Sequence, residues 1–447
     1  MIQTSNNTDS STEEEEIEIE IEIEKEKEKE NYEKEKNKKR EKKLNFLLLG
    51  FGFFCYSCSY YATKSLMTKI HKQLGFYSLG IFFMVYSFSN IFTPFLVKKF
   101  KSKNCMIIGL LFSTFWIISN IKFNMYVFLV SSFFIGVGTG LAWTANGTYI
   151  IRSSNLNNVG SHSGFFFLFY LTGNLGGSVS CSIFLNVLEM KDQTLFMVYS
   201  SLAIFGIVIL LFLKKSEKTH HKETVNGPEA FEKHSILISI KRNTFAMFGI
   251  FKSIEAILAI PMMMITGLCV LLVFGIISPK LEKNKIPNLL IIYGVMVSLS
   301  SFSIGKLVDS FGLKVTLIGC TLIEILAVVL CFFAKSGSSI VLFILIYALF
   351  GLSGSGLDTA TYPLQMYLFP NRVEDATAAF KFPRTLSTGI GFLVGNHFNG
   401  YITFSIVLFL QLLTIVCFLI LDRIVPLKKP HSYIPIKEQN LSKSSNY

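Results

Sequence analysis

Residues 125–151 read MYVFLVSSFFIGVGTGLAWTANGTYII and contain no acidic or basic side chain. About 20 apolar residues are enough for a helix to cross the hydrocarbon core of a bilayer, which is roughly 30 Å thick. Inside that core every backbone amide needs a hydrogen-bond partner, and a helix supplies one within the same segment. This stretch therefore predicts a membrane-spanning helix.

Similar apolar stretches recur along the chain, six on each side of a charged region. The others lie at about residues 44–63, 74–97, 104–121, 163–188, 194–213, 256–278, 286–308, 313–334, 339–369, 376–398 and 401–421. We therefore predict an all-α membrane protein with 12 transmembrane helices in two six-helix pseudo-repeats. The predicted fifth and eleventh helices are the most polar, as expected of helices beside an interior polar path.

The predicted organisation has five parts. They are a disordered charged cytoplasmic tail at residues 1–43, a six-helix bundle at 44–213, a cytoplasmic loop with an interfacial helix at 214–255, a second six-helix bundle at 256–424 and a cytoplasmic tail at 425–447. The first tail alternates Ile with Glu and then Lys with Glu, a composition that cannot bury a core.

The distribution of basic residues predicts the orientation in the membrane. With the amino terminus inside, the inner loops hold 18 Lys and Arg residues and the outer loops hold nine, among them Lys64. This bias favours both termini in the cytoplasm. Residues 1–43 carry a net charge of −5 and the rest of the chain +17. The basic residues of this second part lie in short loops between apolar stretches, so they indicate anionic lipid rather than nucleic acid as the partner.

Residues 305–314 read GKLVDSFGLK, a pattern of the form G-x-L-x-D-x-x-G-x-K. This pattern resembles the loop signature between helices two and three, and between eight and nine, of the major facilitator superfamily. The predicted cytoplasmic gating loop comprises Gly305, Asp309, Gly312 and Lys314. Gly312 permits a tight turn, and the Asp309 carboxylate suits a helix amino terminus. An ordinary Gly-Asp turn between helices is the alternative.

A second resemblance is narrower. Residues 136–147 read GVGTGLAWTANG and resemble the glycine-rich, Trp-Thr-Ala-Gln-Gly fourth helix of the Unc-ninety-three-like family. Residues 160–165 are similar to the start of that family's fifth helix, and Asp358 with residues 374–384 to its tenth and eleventh. Asn146 stands where the family has Gln. The resemblance implies a major-facilitator-like fold and a role as an ion-channel regulatory subunit or as an escort of receptor trafficking.

Four residues are candidates for a central cavity. Trp143 and Asn146 lie one helical turn apart, so they can face one space. A carboxylate within a membrane helix, such as Asp358, is costly and usually faces a partner or an interior path. Arg384 and Lys381 are the candidate partners. A structural ion pair and a proton or cation site remain equal alternatives for Asp358.

Two functions therefore remain open. The family resemblance favours a protein that regulates or escorts a channel or receptor subunit by contact within the membrane. The repeat pattern and Asp358 favour a secondary transporter of a small-molecule solute, with proton coupling as an option. No catalytic, cofactor-binding or metal-binding pattern is present, so an enzyme is not expected. The plasma membrane and the endolysosomal membrane are alternative locations.

Overall fold

The computed structural model describes residues 9–153, 159–214, 244–245, 247–369, 372–395 and 397–425, and within them the regular secondary structure is helical. The helices are α1 (Asp9–Ile70), α2 (Gln73–Phe100), α3 (Ser102–Ile118), α4 (Met125–Ser153), α5 (Val159–Asn186), α6 (Asp192–Leu211), α7 (Ile254–Leu271), α8 (Lys285–Phe311), α9 (Leu313–Phe333), α10 (Ile340–Leu368), α11 (Val373–Gly395) and α12 (Gly400–Ile424). Most of the predicted loop at 214–255 and nearly all of the predicted tail at 425–447 lie outside the described residues.

Within the described residues, nine helices are long and apolar enough to cross a membrane. The apolar parts of α3 and α8 are shorter than a full span, and α11 is not among the nine. Helix α11 is less apolar than these nine because Lys381, Pro383 and Arg384 interrupt its apolar residues. The all-helical, multi-span class is confirmed, whereas twelve spans in two pseudo-repeats stay a prediction.

Residues 9–43 of the charged amino-terminal segment form the first part of α1. Every described side chain from residue 28 to residue 44 is exposed to solvent. Lys36 and Glu33 form an ion pair at 3.2 Å, and Lys34 pairs with Glu30. Pairs of this spacing on a solvated helix contribute only about 0.2–0.5 kcal/mol each. The segment therefore has no core of its own, as its composition predicts.

The helices pack mainly within two sets, α1–α6 and α7–α12. In the first set α1 packs on α5 and α6, and α4 packs on α2 and α3. In the second set α10 packs on α8 and α9, while α7 packs on α11 and α12. Between the sets, α2 packs along α11 and α5 packs along α8. The space enclosed by these two contacts is where a site between the sets can form.

Polar contacts join the two sets at the end where α1 ends and α2 begins, termed the outer end after the predicted topology. Thr68 donates to the carbonyl oxygen of Phe274 at 2.6 Å, and Lys69 donates to that of Pro279 at 3.1 Å. On the other side of the interface Ser182 donates to Asn288 at 2.5 Å. Phe274 belongs to a π-helical turn, Leu272–Ile277, that extends α7. Such turns often mark functional sites in helices.

His71 lies in the outer turn between α1 and α2. One of its ring nitrogens is 2.8 Å from the side-chain oxygen of Asn120, and its ring stacks on Phe123. Burial lowers the pKa of His71 from its ordinary value near 6.5. The ring is therefore mainly neutral at pH 7.

Glycines set the distance between α4 and its neighbours. A Cβ atom at Gly138 would lie 2.5 Å from the carbonyl oxygen of Gly109 on α3, and a Cβ at Gly109 would lie equally close to the oxygen of Gly138. A Cβ at Gly136 would lie 2.7 Å from the Cβ of Val85 on α2. Small residues at such crossings let helix backbones approach in a membrane. The glycine-rich part of the fourth helix is therefore a packing surface.

Gly138→Ala is expected to destabilise the protein, because the new methyl group meets backbone that cannot rotate away. Overpacking of this kind costs about 1–3 kcal/mol. Melting of the purified protein, followed by intrinsic fluorescence, measures the effect. Gly147→Ala in the same helix is the matched control, since a Cβ there would meet no atom within 4 Å. Equal melting temperatures for the two variants would contradict the packing role.

Candidate functional site

The structure links Trp143 to the first helix of the chain through two tyrosines. The Trp143 ring on α4 lies 4.9 Å from the Tyr170 ring on α5, edge to face. The Tyr170 hydroxyl donates to the Tyr61 hydroxyl on α1 at 3.2 Å. Ser57, one turn before Tyr61, donates to the backbone oxygen of Tyr170. Aromatic side chains thus form one wall of the space between the helix sets.

Asp358 and Arg384 form an ion pair between α10 and α11. The Arg384 Nη2 atom donates to the Asp358 Oδ2 atom at 2.5 Å. Their side chains are 35% and 36% exposed, although both residues lie well inside their helices. Charged groups at such positions face protein partners or water-filled space rather than lipid. The pair therefore lies beside water-accessible space.

The aromatic wall and the ion pair belong to one site. The charges of Arg384 and Asp358 act on the Tyr61 hydroxyl. Lys381, one turn before Arg384 on α11, also interacts electrostatically with both members of the pair. Tyr61 therefore contacts Tyr170, which contacts Trp143, and it shares one electrostatic environment with Asp358 and Arg384. We term this group of residues the central site.

Asn146 is buried, unlike the Asp358–Arg384 ion pair. The residue is 2% exposed, and its side-chain oxygen has no hydrogen-bond partner among the described residues. A buried amide oxygen left unpaired costs about 1–3 kcal/mol. Asn146 is one turn from Trp143, as the sequence predicts, but it is enclosed between helices.

Lys64 also belongs to the central site, because its ammonium group lies beside the Tyr61 ring. The sequence predicts that the first span ends at residue 63 and that Lys64 lies in an outer loop, and this prediction is wrong. In the structure α1 continues to Ile70, and Lys64 is only 5% exposed. Its ammonium lies 4.1 Å from the centre of the Phe274 ring and 4.8 Å from that of Tyr61. The positions of Ser57, Tyr61, Lys64 and Thr68, which share one helix face, were the available signal.

A second acidic residue lies outside the exposed part of the site. Glu324 on α9 is fully buried, and neither of its carboxylate oxygens has a hydrogen-bond partner among the described residues. Cys269 and Asp358 are the titratable groups that interact with it. Gln411 on α12 is also fully buried, with both polar atoms unpaired in the described part of the chain. These polar groups lie in the packed interior of the second helix set.

The predicted gating loop forms the junction of α8 and α9. Gly312 joins these helices with a φ of +85°, a conformation that glycine adopts without strain. Lys314 donates to Asp422 on α12 at 2.8 Å, a partner that the sequence did not indicate. Gly305 and Asp309 lie in the last part of α8, and the side chain of Asp309 is outside the described residues. The gating role of this loop stays a prediction.

Comparison with solved structures identifies the fold. The chain is similar to a POT family transporter in complex with 5-aminolevulinic acid, with a TM-score of 0.66, 14% identity and coverage of 85% of this chain and 96% of that one. It is also similar to a D-xylose-proton symporter, with a TM-score of 0.61, 13% identity and coverage of 87% and 97%. Identities this low show the fold alone, which is of the major facilitator type.

Comparison of sequences identifies the family. The UNC93-like protein MFSD11 of Xenopus tropicalis is 24% identical over 328 residues, which cover 65% of this chain and 73% of the relative. The same protein of Xenopus laevis is 23% identical over 328 residues, with the same coverage. The family described as ion channel regulatory protein UNC-93 matches residues 66–419, which confirms the resemblance seen in the sequence. The chain therefore belongs to the UNC-93 family.

Proposed function

We propose that this chain is a secondary transporter that moves a small solute between its two helix sets by alternating access. The observation that carries the proposal is the exposure of the Asp358–Arg384 pair, whose side chains are about one third exposed between membrane helices. A purely structural pair gains nothing from this exposure, because water weakens the attraction between its charges. A pair beside water is available to a passing solute.

The contacts between the helix sets support the same function. Several of the hydrogen bonds that cross between the sets lie at the outer end, among them those of Thr68, Lys69 and Ser182. Nearer the middle of α2, Ser87 donates to the backbone oxygen of Phe382 on α11 at 3.1 Å. This distribution fits a state closed on the outside, in which the central site faces the cytoplasm. Transporters of this fold work by moving one helix bundle against the other around such a site.

The second candidate function is regulation of a channel or receptor subunit by contact within the membrane. The observation that favours it is the family description, ion channel regulatory protein UNC-93. Such contact needs lipid-facing helix surfaces and no central site. The two functions therefore predict different consequences when a central charge is removed. Both are compatible with the proposed cytoplasmic position of the two termini.

Asp358→Asn tests the transport function directly. Cells that express the wild type are compared with a null strain in an unbiased uptake screen, and every solute that accumulates is measured again with the variant. We expect uptake to fall at least tenfold, because the amide keeps the shape and removes the charge that pairs with Arg384. Glu282→Gln is the control, since Glu282 forms an exposed ion pair with Lys285 outside the central site.

Two results would argue against transport. One is a wild type that moves no solute beyond the null strain. The other is a variant with undiminished uptake of every solute that the wild type accumulates. Proximity labelling that recovers a single channel subunit equally with the wild type and Asp358→Asn, in the absence of uptake, would support the regulatory function.

A further inference from the structure

The central site holds more positive than negative charge. Its described basic residues are Lys64, Lys381 and Arg384, and its acidic residue is Asp358. Arg384 and Asp358 pair at 2.5 Å, and neither Lys64 nor Lys381 forms an ion pair with a carboxylate in the described part of the chain. Glu324 does not compensate for them, because it is fully buried in α9 and forms no ion pair with a described residue.

Of the two lysines, Lys64 is the more buried. It is 5% exposed, and its ammonium group makes no hydrogen bond to a described residue. Its close neighbours are the rings of Phe274, Tyr61 and Tyr60, at 4.1, 4.8 and 5.3 Å. A cation above aromatic rings gains about 0.5–2 kcal/mol. Burying an unpaired charge costs several kcal/mol, so the rings offset only part of the cost.

Lys64 lies between the central site and the hydrogen bonds at the outer end. Thr68, one turn later on α1, joins the outer contact with Phe274 at 2.6 Å. Tyr61, one turn earlier, lies on the wall of the central site. The ammonium group of Lys64 is therefore the part of the central site nearest the closed outer end. Lys64 is buried, and the charge of Arg384 also acts on it, so the two basic groups share one electrostatic environment.

We propose that the central site binds a small organic anion whose acidic group pairs with Lys64, next to the closed outer end. This inference rests on the proposed transport function and names the class of solute. Arg384 is held by Asp358 and completes the positive field around the anion. Tyr61 and Trp143 supply aromatic surface for the less polar part of the solute. An acidic group supplies the partner that the Lys64 ammonium lacks.

The test is a binding measurement on the purified full chain in lipid nanodiscs. Melting temperature is recorded with mono-, di- and tricarboxylates, each beside its neutral amide, and with inorganic phosphate and putrescine at constant ionic strength. We expect one or more anions to raise the melting temperature by several degrees in a saturable manner, because a ligand stabilises the state that binds it. The matching amide and putrescine are expected to have no effect.

Variants locate the anion. Lys64→Met is expected to abolish the shift caused by the anion, and Lys381→Met, which lowers the positive charge of the site, is expected to reduce it. Lys335→Met, on an exposed turn, is expected to retain the shift. Lys64→Met is also expected to melt above the wild type without ligand, because it removes a buried amine that has no hydrogen-bond partner among the described residues. This second readout shows that the variant is folded. A wild type that no anion stabilises more than its amide overturns the inference, as does an unchanged shift in Lys64→Met.

A flux measurement in proteoliposomes distinguishes anion binding from transport. Uptake of the anion that binds, reduced at least tenfold by Lys64→Met, supports both. Binding of the anion without uptake supports the site and argues against transport. Uptake of a neutral or cationic solute, with no anion bound, supports transport and overturns the assignment of an anionic solute.

Discussion

Arg384→Met is expected to lower the stability of the protein and to abolish uptake in a single step. In the wild type the Asp358 carboxylate pairs with Arg384 at 2.5 Å, and the substitution removes this cation. Removing one partner of a fully buried pair costs about 3–5 kcal/mol. Both side chains here are about one third exposed, so we expect a smaller cost of about 1–3 kcal/mol. Melting temperature and uptake of the solute found in the screen are the two measurements.

The double variant Asp358→Asn with Arg384→Met separates the two effects. With both charges removed no unpaired carboxylate remains, so the melting temperature is expected to recover most of the loss. Uptake is expected to stay at the level of the null strain, since neither charge is available to the solute. The cycle of single and double variants measures the coupling free energy of the pair. A coupling near zero would contradict the ion pair, and recovered uptake would contradict its role in transport.

Locking the outer end is expected to stop transport completely. Ser182 on α5 and Asn288 on α8 are in contact across the helix sets at 2.5 Å. In the variant that carries cysteine at both positions, a short bifunctional methanethiosulfonate reagent can join the two helices. Alternating access requires this contact to open once in each cycle. We therefore expect uptake to fall to the level of the null strain and to return when a reducing agent cleaves the bridge.

The native cysteines and the single cysteine variants provide the controls for this experiment. All eight native cysteines are free and buried, so they react slowly with a polar reagent. Each single cysteine variant, treated in the same way, is expected to keep its uptake. Full uptake by the bridged double variant would show that the outer end does not open during transport. Association with a channel subunit, if it occurs by lateral contact, is expected to be unchanged by the bridge.

Local features of the sequence determined the class of the fold. Long apolar stretches such as residues 125–151 predict membrane helices, because every segment in lipid must satisfy its own backbone. A glycine-rich segment such as residues 136–147 is typical of close helix packing in a membrane, and Gly136 and Gly138 pack against α2 and α3. Gly312 predicted a turn, and the turn is present. Each of these properties depends on residues close together in the sequence.

The make-up of the central site was decided by the tertiary structure alone. A charged residue at the end of an apolar stretch predicts a loop, but α1 continues past Lys64 to Ile70, and Phe274 and Tyr61 pack around its ammonium group. Asp358 had two candidate partners, and its contact with Arg384 distinguishes them. The charge of a site is a sum over residues from distant parts of the chain, and no local pattern in the sequence contains that sum.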